Sequence, residues 1–169
     1  ALPYIVAWNR LCRKAVYDGV RFPKGRIHED ELTAHEILGK AQKIVTLDRA
    51  FYHYRHRAKS IMAGKKSEED HIANAEFLAL RYRYLAAHDA GPAKPVCFST
   101  FLSAYTMAVR DLDPSNRALK ERVKALSLAG GEMRKELKEM KLSAKDELLL
   151  KSPFLWKSLY RFKGTLSGR

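Results

Sequence analysis

The feature that most limits what this chain can fold into is the series of helix punctuation marks after Met62. Ser67-Glu68-Glu69-Asp70 reads as a capping box. A serine oxygen there can accept the N–H three residues on, and the acid at that position can answer the serine's own N–H. It predicts a long helix to about His88, closed by Gly91-Pro92 and Pro95. A second helix fits Val96 to Leu112. Asp113-Pro114 offers an N-cap with proline at the first helical position, and so starts a third helix that Gly130-Gly131 should stop. Ser143 and Ser152-Pro153 each restart a short helix.

Ahead of residues 62–66 the texture differs. Residues 4–8 read as a buried strand, and Asn9 to Tyr17 has helical spacing through Leu11, Ala15 and Val16. Phe22-Pro23-Lys24-Gly25 signals a turn. A helix is expected from about Glu29 to Gln42, with Leu32, Ile37, Leu38 and Ala41 on one stripe. Lys43 to Leu47 and Phe51 to Arg57, separated by Asp48-Arg49, have the composition of two adjoining strands. The expected architecture is therefore mainly α with a small β component: a mixed α/β piece over residues 1–63, then a helical region over 64–169.

At 169 residues the chain can hold one domain with a sizeable core, or two small clusters. With 46% hydrophobic residues it belongs with folded globular chains rather than disordered ones. No apolar run approaches the roughly 20 residues of a membrane span. Cys12 and Cys97 are too few and too far apart for a disulfide framework or a metal knuckle, which leaves two free thiols in a reducing cytoplasm. Opening at Ala1 and running at once into Tyr4-Ile5-Val6-Ala7-Trp8, the chain reads as a fragment.

A net charge of +13 favours polyanionic partners: nucleic acid, anionic lipid or a phosphorylated substrate. Residues 1–61 carry 12 Lys/Arg against 6 Asp/Glu, and residues 62–169 carry 20 against 13. The excess is shared, so charge does not select among those partners. Nucleic acid is the least expected, because no recognition motif and no aromatic platform on a basic strand are present.

Two clusters could carry chemistry. Glu29, Asp30 and Glu31 fall at a helix start after a glycine-containing loop. Acids there complement the helix dipole and cap free N–H groups; a carboxylate in the same place can also take a proton from an acceptor hydroxyl. In the extended run Tyr52-His53-Tyr54-Arg55-His56-Arg57, alternation would send His53, Arg55 and Arg57 to one side. That side is either a solvated, charged strand edge or a site for a pyrophosphate, which guanidinium groups grip in fork geometry. Phe51, Tyr52 and Tyr54 are expected to pack.

The ordered series Trp8-Asn9-Arg10-Leu11, Arg21-Phe22-Pro23-Lys24-Gly25, His28-Glu29-Asp30-Glu31, Lys43-Ile44-Val45, Tyr52-His53-Tyr54-Arg55-His56-Arg57 and Ser60-Ile61-Met62 resembles the C-terminal half of bacterial family 2 glycosyltransferases. The likeness covers residues 3–63 and fades over the helical remainder. It implies a GT-A fold, a Rossmann-like α/β domain, and inverting transfer of a sugar from a nucleotide-sugar, a UDP-sugar, to a saccharide or lipid-linked acceptor in surface or capsular polysaccharide synthesis. By the same resemblance Asp30 is the general base and Glu29 helps shape the acceptor site, with Trp8 and Asn9 supporting it. Arg55, Arg57 and Ser60 lie near the donor diphosphate. A divalent cation, Mg or Mn, is implied too, held mainly by first β-α-β units and an Asp-x-Asp motif that these residues lack. His53 is the single candidate ligand here. The fragment alone is expected to be inactive, and association with a second copy is one way it could fold.

Residues 151–169 contain Lys151, Lys157, Arg161, Lys163 and Arg169 and no acid, interleaved with Phe154, Leu155, Trp156, Leu159, Tyr160 and Phe162. Either the aromatics dock this last helix on the bundle, or the helix lies on an anionic membrane, which would suit a cytoplasmic protein at the inner face of the cell membrane. The segment Glu132 to Lys145 reads as a solvated helix face with i,i+4 pairs, and His71 and His88 as isolated. A different class of function, a non-enzymatic basic helical module binding membrane, nucleic acid or a protein partner, fits the charge. Residues 64–169 could also serve chiefly for interaction or oligomerisation.

Overall fold

A computed structural model describes residues 6–24, 29–55 and 66–166, with side chains as far as residue 160. The chain divides into two compact units, Ala1–Lys65 and Lys66–Arg169.

In the first unit the described residues form two short 3-10 turns, Ala7–Asn9 and Lys14–Tyr17, and the helix α1, Glu29–Gly39. Thr33, Ala34 and Ile37 are its buried residues, and Val20 is buried as well. The second 3-10 turn packs against α1. It runs into Asp18-Gly19, where Gly19 has φ of 75°, a conformation that costs glycine little because it has no Cβ. Val20 N–H then closes the turn on Tyr17 O at 3.0 Å. The Lys40 ammonium donates to Asp18 O, tying the end of α1 to this turn. Burial and a hydrogen bond with Cys12 push the Tyr17 phenol up.

The second unit is helical: α2 (Glu68–Ala87), α3 (Ala93–Asp111), α4 (Arg117–Glu136), α5 (Ala144–Lys151) and α6 (Pro153–Leu166). The capping box forms as expected, with Asp70 N–H donating to Ser67 Oγ at 3.2 Å and Ser67 N–H to Asp70 Oδ2 at 2.8 Å. Helix α3 is the centre of the core. Phe98, Phe101, Leu102, Tyr105, Ala108, Val109 and Leu112 recur at three- and four-residue spacing and are all buried. Their rings form a column, Phe98 to Phe101 at 6.3 Å and Phe101 to Tyr105 at 5.6 Å, and Tyr82 of α2 meets Phe98 edge-on at 6.5 Å. The buried polar ends are satisfied. Tyr105 donates to Val123 O at 3.2 Å and Tyr82 to Glu136 Oε2 at 3.2 Å. Burial, reinforced by Glu136, pushes the Tyr82 phenol up to about 12. The Cys97 thiol, raised by burial, faces Leu78 O at 3.6 Å and is packed rather than reactive. A guanidinium fork from Arg122 to both oxygens of Glu76, at 2.7 and 2.8 Å, ties α4 to α2.

The structure corrects several expectations. Among the described residues there is no β-strand, so the small β component and the Rossmann-like GT-A architecture are overturned. Of the segment 4–8, the described residues end in a 3-10 turn. Residues 43–47 and 51–55 have strand composition but no ladder partner among the described residues, and Ile44, Val45, Leu47 and Phe51 are exposed. A strand is stabilised by its neighbour's hydrogen bonds and by burial of one face, and among the described residues these runs have neither. Residues 56 and 57 lie outside the described residues.

In α4, Gly130-Gly131 do not stop the helix but lie inside it. A Cβ at Gly130 would stand 2.5 Å from Leu150 Cδ2 and 2.9 Å from Phe101 Cε1, so this glycine lets α4 approach α3 and α5 closely. The helix is capped by Asn116, whose side chain accepts Leu119 N–H at 3.2 Å. Asp113 instead closes a local turn onto Ser115 N–H at 2.8 Å. The charged stretch after Glu132 also differs. Helix α4 ends at Glu136, and its ion pairs there cross between elements, Arg134 to Glu147 at 2.9 Å and Lys94 to Glu136 at 3.3 Å.

Candidate functional site

The first turn of α1 carries Glu29, Asp30 and Glu31. Glu29 is exposed and Asp30 half-buried. Asp30 Oδ1 accepts the Glu31 N–H at 2.9 Å, which fixes the carboxylate against the helix start. Below it the Thr33 hydroxyl donates to the carbonyls of Glu29 and Asp30 at 3.3 and 3.4 Å, and Ala34 and Ile37 in the following turn are buried. The acids in this first turn complement the positive end of the helix dipole. His28 lies outside the described residues.

Trp8 and Asn9 occupy the first 3-10 turn. Trp8 stacks on Tyr52, ring centroids 4.6 Å apart, and on Tyr54 at 5.1 Å, both with planes inclined by 24°. Two segments distant in the chain are joined by this three-ring cluster, whose members all keep part of their surface in solvent. Because Tyr52 and Tyr54 both meet Trp8, alternation along the backbone leaves His53 and Arg55 between and beyond them, and both are exposed. Phe51 lies under the Arg49 guanidinium at 5.4 Å rather than in a core. Asp30 and Arg55 form no ion pair among the described residues. Arg57 and Ser60 lie outside the described residues. No group of three His, Cys, Asp or Glu able to hold a metal occurs among the described residues, and His53 stands apart from any such group.

In the second unit the residues of the basic tail take unlike roles. Trp156 and Lys157 are buried, at 3% and 5% exposure. The Lys157 ammonium donates to Val109 O at 2.9 Å, Arg110 O at 2.6 Å and Leu112 O at 2.5 Å. It thereby satisfies the unpaired carbonyls at the end of α3. In the sequence Lys157 is one cation among five in the tail; a spacing rule cannot reveal a cap that arrives from another helix. Leu155, Leu159 and Tyr160 are exposed. The side chains of Arg161, Phe162, Lys163 and Arg169 lie outside the description.

Neither histidine of this unit is isolated. His71 Nε2 lies 3.3 Å from Asp111 Oδ2, and His88 Nδ1 lies 2.8 Å from Tyr84 O. The Arg110 guanidinium bonds both oxygens of Asp111 at 2.7 and 2.8 Å. Chiefly through that bond, with His71 and Lys157 adding to it, the Asp111 carboxyl is held below its ordinary range. Among the described residues no helix is long and apolar enough to cross a membrane. No protein-family model, curated protein or solved structure matches the chain.

Proposed function

We propose that the chain supplies the acceptor side of a sugar transfer, from a UDP-sugar to a hydroxyl of a saccharide or lipid-linked acceptor in surface polysaccharide synthesis. The observation that supports it best is the place of Asp30, a half-buried carboxylate held by a backbone N–H on a helix whose inner face is anchored. As general base, Asp30 takes the acceptor proton while the acceptor oxygen attacks the anomeric carbon. The bond to the nucleotide breaks with its electron pair on the departing diphosphate, and in-line attack inverts the centre. Glu29, exposed beside Asp30, shapes the acceptor site, and the partly exposed Trp8 ring with Asn9 lines it. Arg55, with Arg57 and Ser60 further along, offsets charge on the leaving diphosphate.

A divalent cation, Mg or Mn, would add to that charge balance. The described residues present no three-ligand group for it, and no step is assigned to it. The reading places the protein in the cytoplasm, where nucleotide sugars are available, at the inner face of the membrane.

In the full-length protein, Asp30→Asn is expected to lower transfer by about 10²–10⁴-fold, the usual range for a lost general base. UDP-sugar affinity measured by calorimetry is expected to be unchanged. Undiminished turnover by Asp30→Asn would overturn the role given to Asp30.

A further inference from the structure

We propose that α6 rests the chain on an anionic lipid surface through the edge formed by Leu155 and Leu159, a binding site independent of the sugar-transfer reading. Helical twist separates α6 into two sides. Pro153, Trp156 and Lys157 face the core and are buried. Leu155 and Leu159, one turn apart, face away from it, at 53% and 49% exposure. The backbone of α6 runs on to Leu166, so positions 162 and 166, Phe and Leu in the sequence, fall on the same register.

Charge selects the occupant. From Leu148 to Arg169 the sequence contains five Lys/Arg and no acid. One of the five, Lys157, is engaged by the end of α3. Lys151 is exposed at the end of α5, two residues before α6 begins, and Lys145 of α5 flanks α6, 5.4 Å from the Trp156 ring and 5.8 Å from that of Tyr160. A second copy meeting this edge across a two-fold axis would bring the same cations face to face, each chain already at +13. A surface of anionic head groups over acyl chains satisfies both the apolar edge and its cationic border, and an amphipathic helix of this kind lies in the interface. No described helix is suited to cross it.

The test is co-sedimentation of the whole chain with vesicles of phosphatidylcholine, with and without phosphatidylglycerol. Binding is expected with phosphatidylglycerol only, and to weaken as salt is added. Leu155→Ser/Leu159→Ser removes two half-exposed leucines and is expected to lower partitioning on the order of thirtyfold. Val96→Ser, an exposed position on the first turn of α3, is expected to leave it unchanged. Circular dichroism melting confirms that each variant is folded. If the double variant loses its fold, the salt dependence and the lipid requirement of the unaltered chain still decide the matter. Equal binding to neutral vesicles, or full binding by a folded double variant, would overturn the proposal. So would self-association that depends on Leu155 and Leu159 without any vesicle binding.

Discussion

Lys157 on α6 donates its ammonium to the carbonyl of Leu112, just beyond α3, at 2.5 Å, with Val109 and Arg110 carbonyls completing the set. Three acceptors around a buried cation offset its loss of water, and the negative end of the α3 dipole favours it. Lys157→Met keeps the aliphatic stem but leaves those carbonyls without their donor. The variant is expected to lose about 1.5–3 kcal/mol of stability, the range for hydrogen bonds to a charged group. Urea unfolding followed by circular dichroism measures this, and a loss well under 1 kcal/mol would mean the cap contributes little.

Adjacent glycines in α4 are expected to respond with opposite signs. Gly131→Ala meets open space and gains the helix propensity of alanine, up to about 1 kcal/mol. Gly130→Ala gains the same propensity but drives its methyl into Phe101 and Leu150. The Leu150 methyl can rotate aside; the Phe101 ring, stacked on Phe98 and Tyr105, has less room. Overpacking of this kind costs about 1–3 kcal/mol, so the net effect is destabilising. The difference in urea midpoint between the two variants reports the sign directly.

Stability is expected to depend on pH through Asp111. Its folded value lies below the ordinary 3.8, so its contribution is complete above that value and is lost as pH falls through the folded value. A melting temperature measured from pH 5 downward, over roughly the unfolded carboxylate range and below, should drop less steeply in Asp111→Asn than in the unaltered chain. The pair is partly exposed, which keeps the effect modest.

How far the chain can be read locally is clearest in the second unit. The starts of α2 and α5 were legible because Ser67 and Ser143 each cap the N–H three residues on, a contact contained within four residues. The start of α4 was not, because Asp113 and Asn116 are both good caps and only folding decides between them. Asp113 N–H is taken by Glu68 of α2 at 2.8 Å, which places Asp113 in the connecting turn. Gly130 was misread for a related reason. Glycine breaks a helix when nothing repays its entropy, and here close contact with Phe101 and Leu150 does so.

The first unit was less legible still. Residues 43–47 have the β-branched composition of a strand, yet strand formation depends on a neighbour that composition cannot provide. For the candidate site, the placement of Asp30 at a helix start was readable from the loop and acid pattern. The stacking of Trp8 on Tyr52 and Tyr54 was not, since it joins segments with no periodic relation.

The exposed run at residues 44–47 has a consequence for the solution behaviour of the chain. Ile44-Val45-Thr46-Leu47 has high β-propensity, carries no charge and is open to solvent, the composition from which intermolecular β-pairing begins. Lys43 precedes it and Asp48-Arg49 follow it. Charges set at both ends of such a run act as gatekeepers, because stacking chains in register would stack like charges too. Resistance of this run to intermolecular β-pairing therefore draws on three exposed residues, Lys43, Asp48 and Arg49, that contribute little to any core.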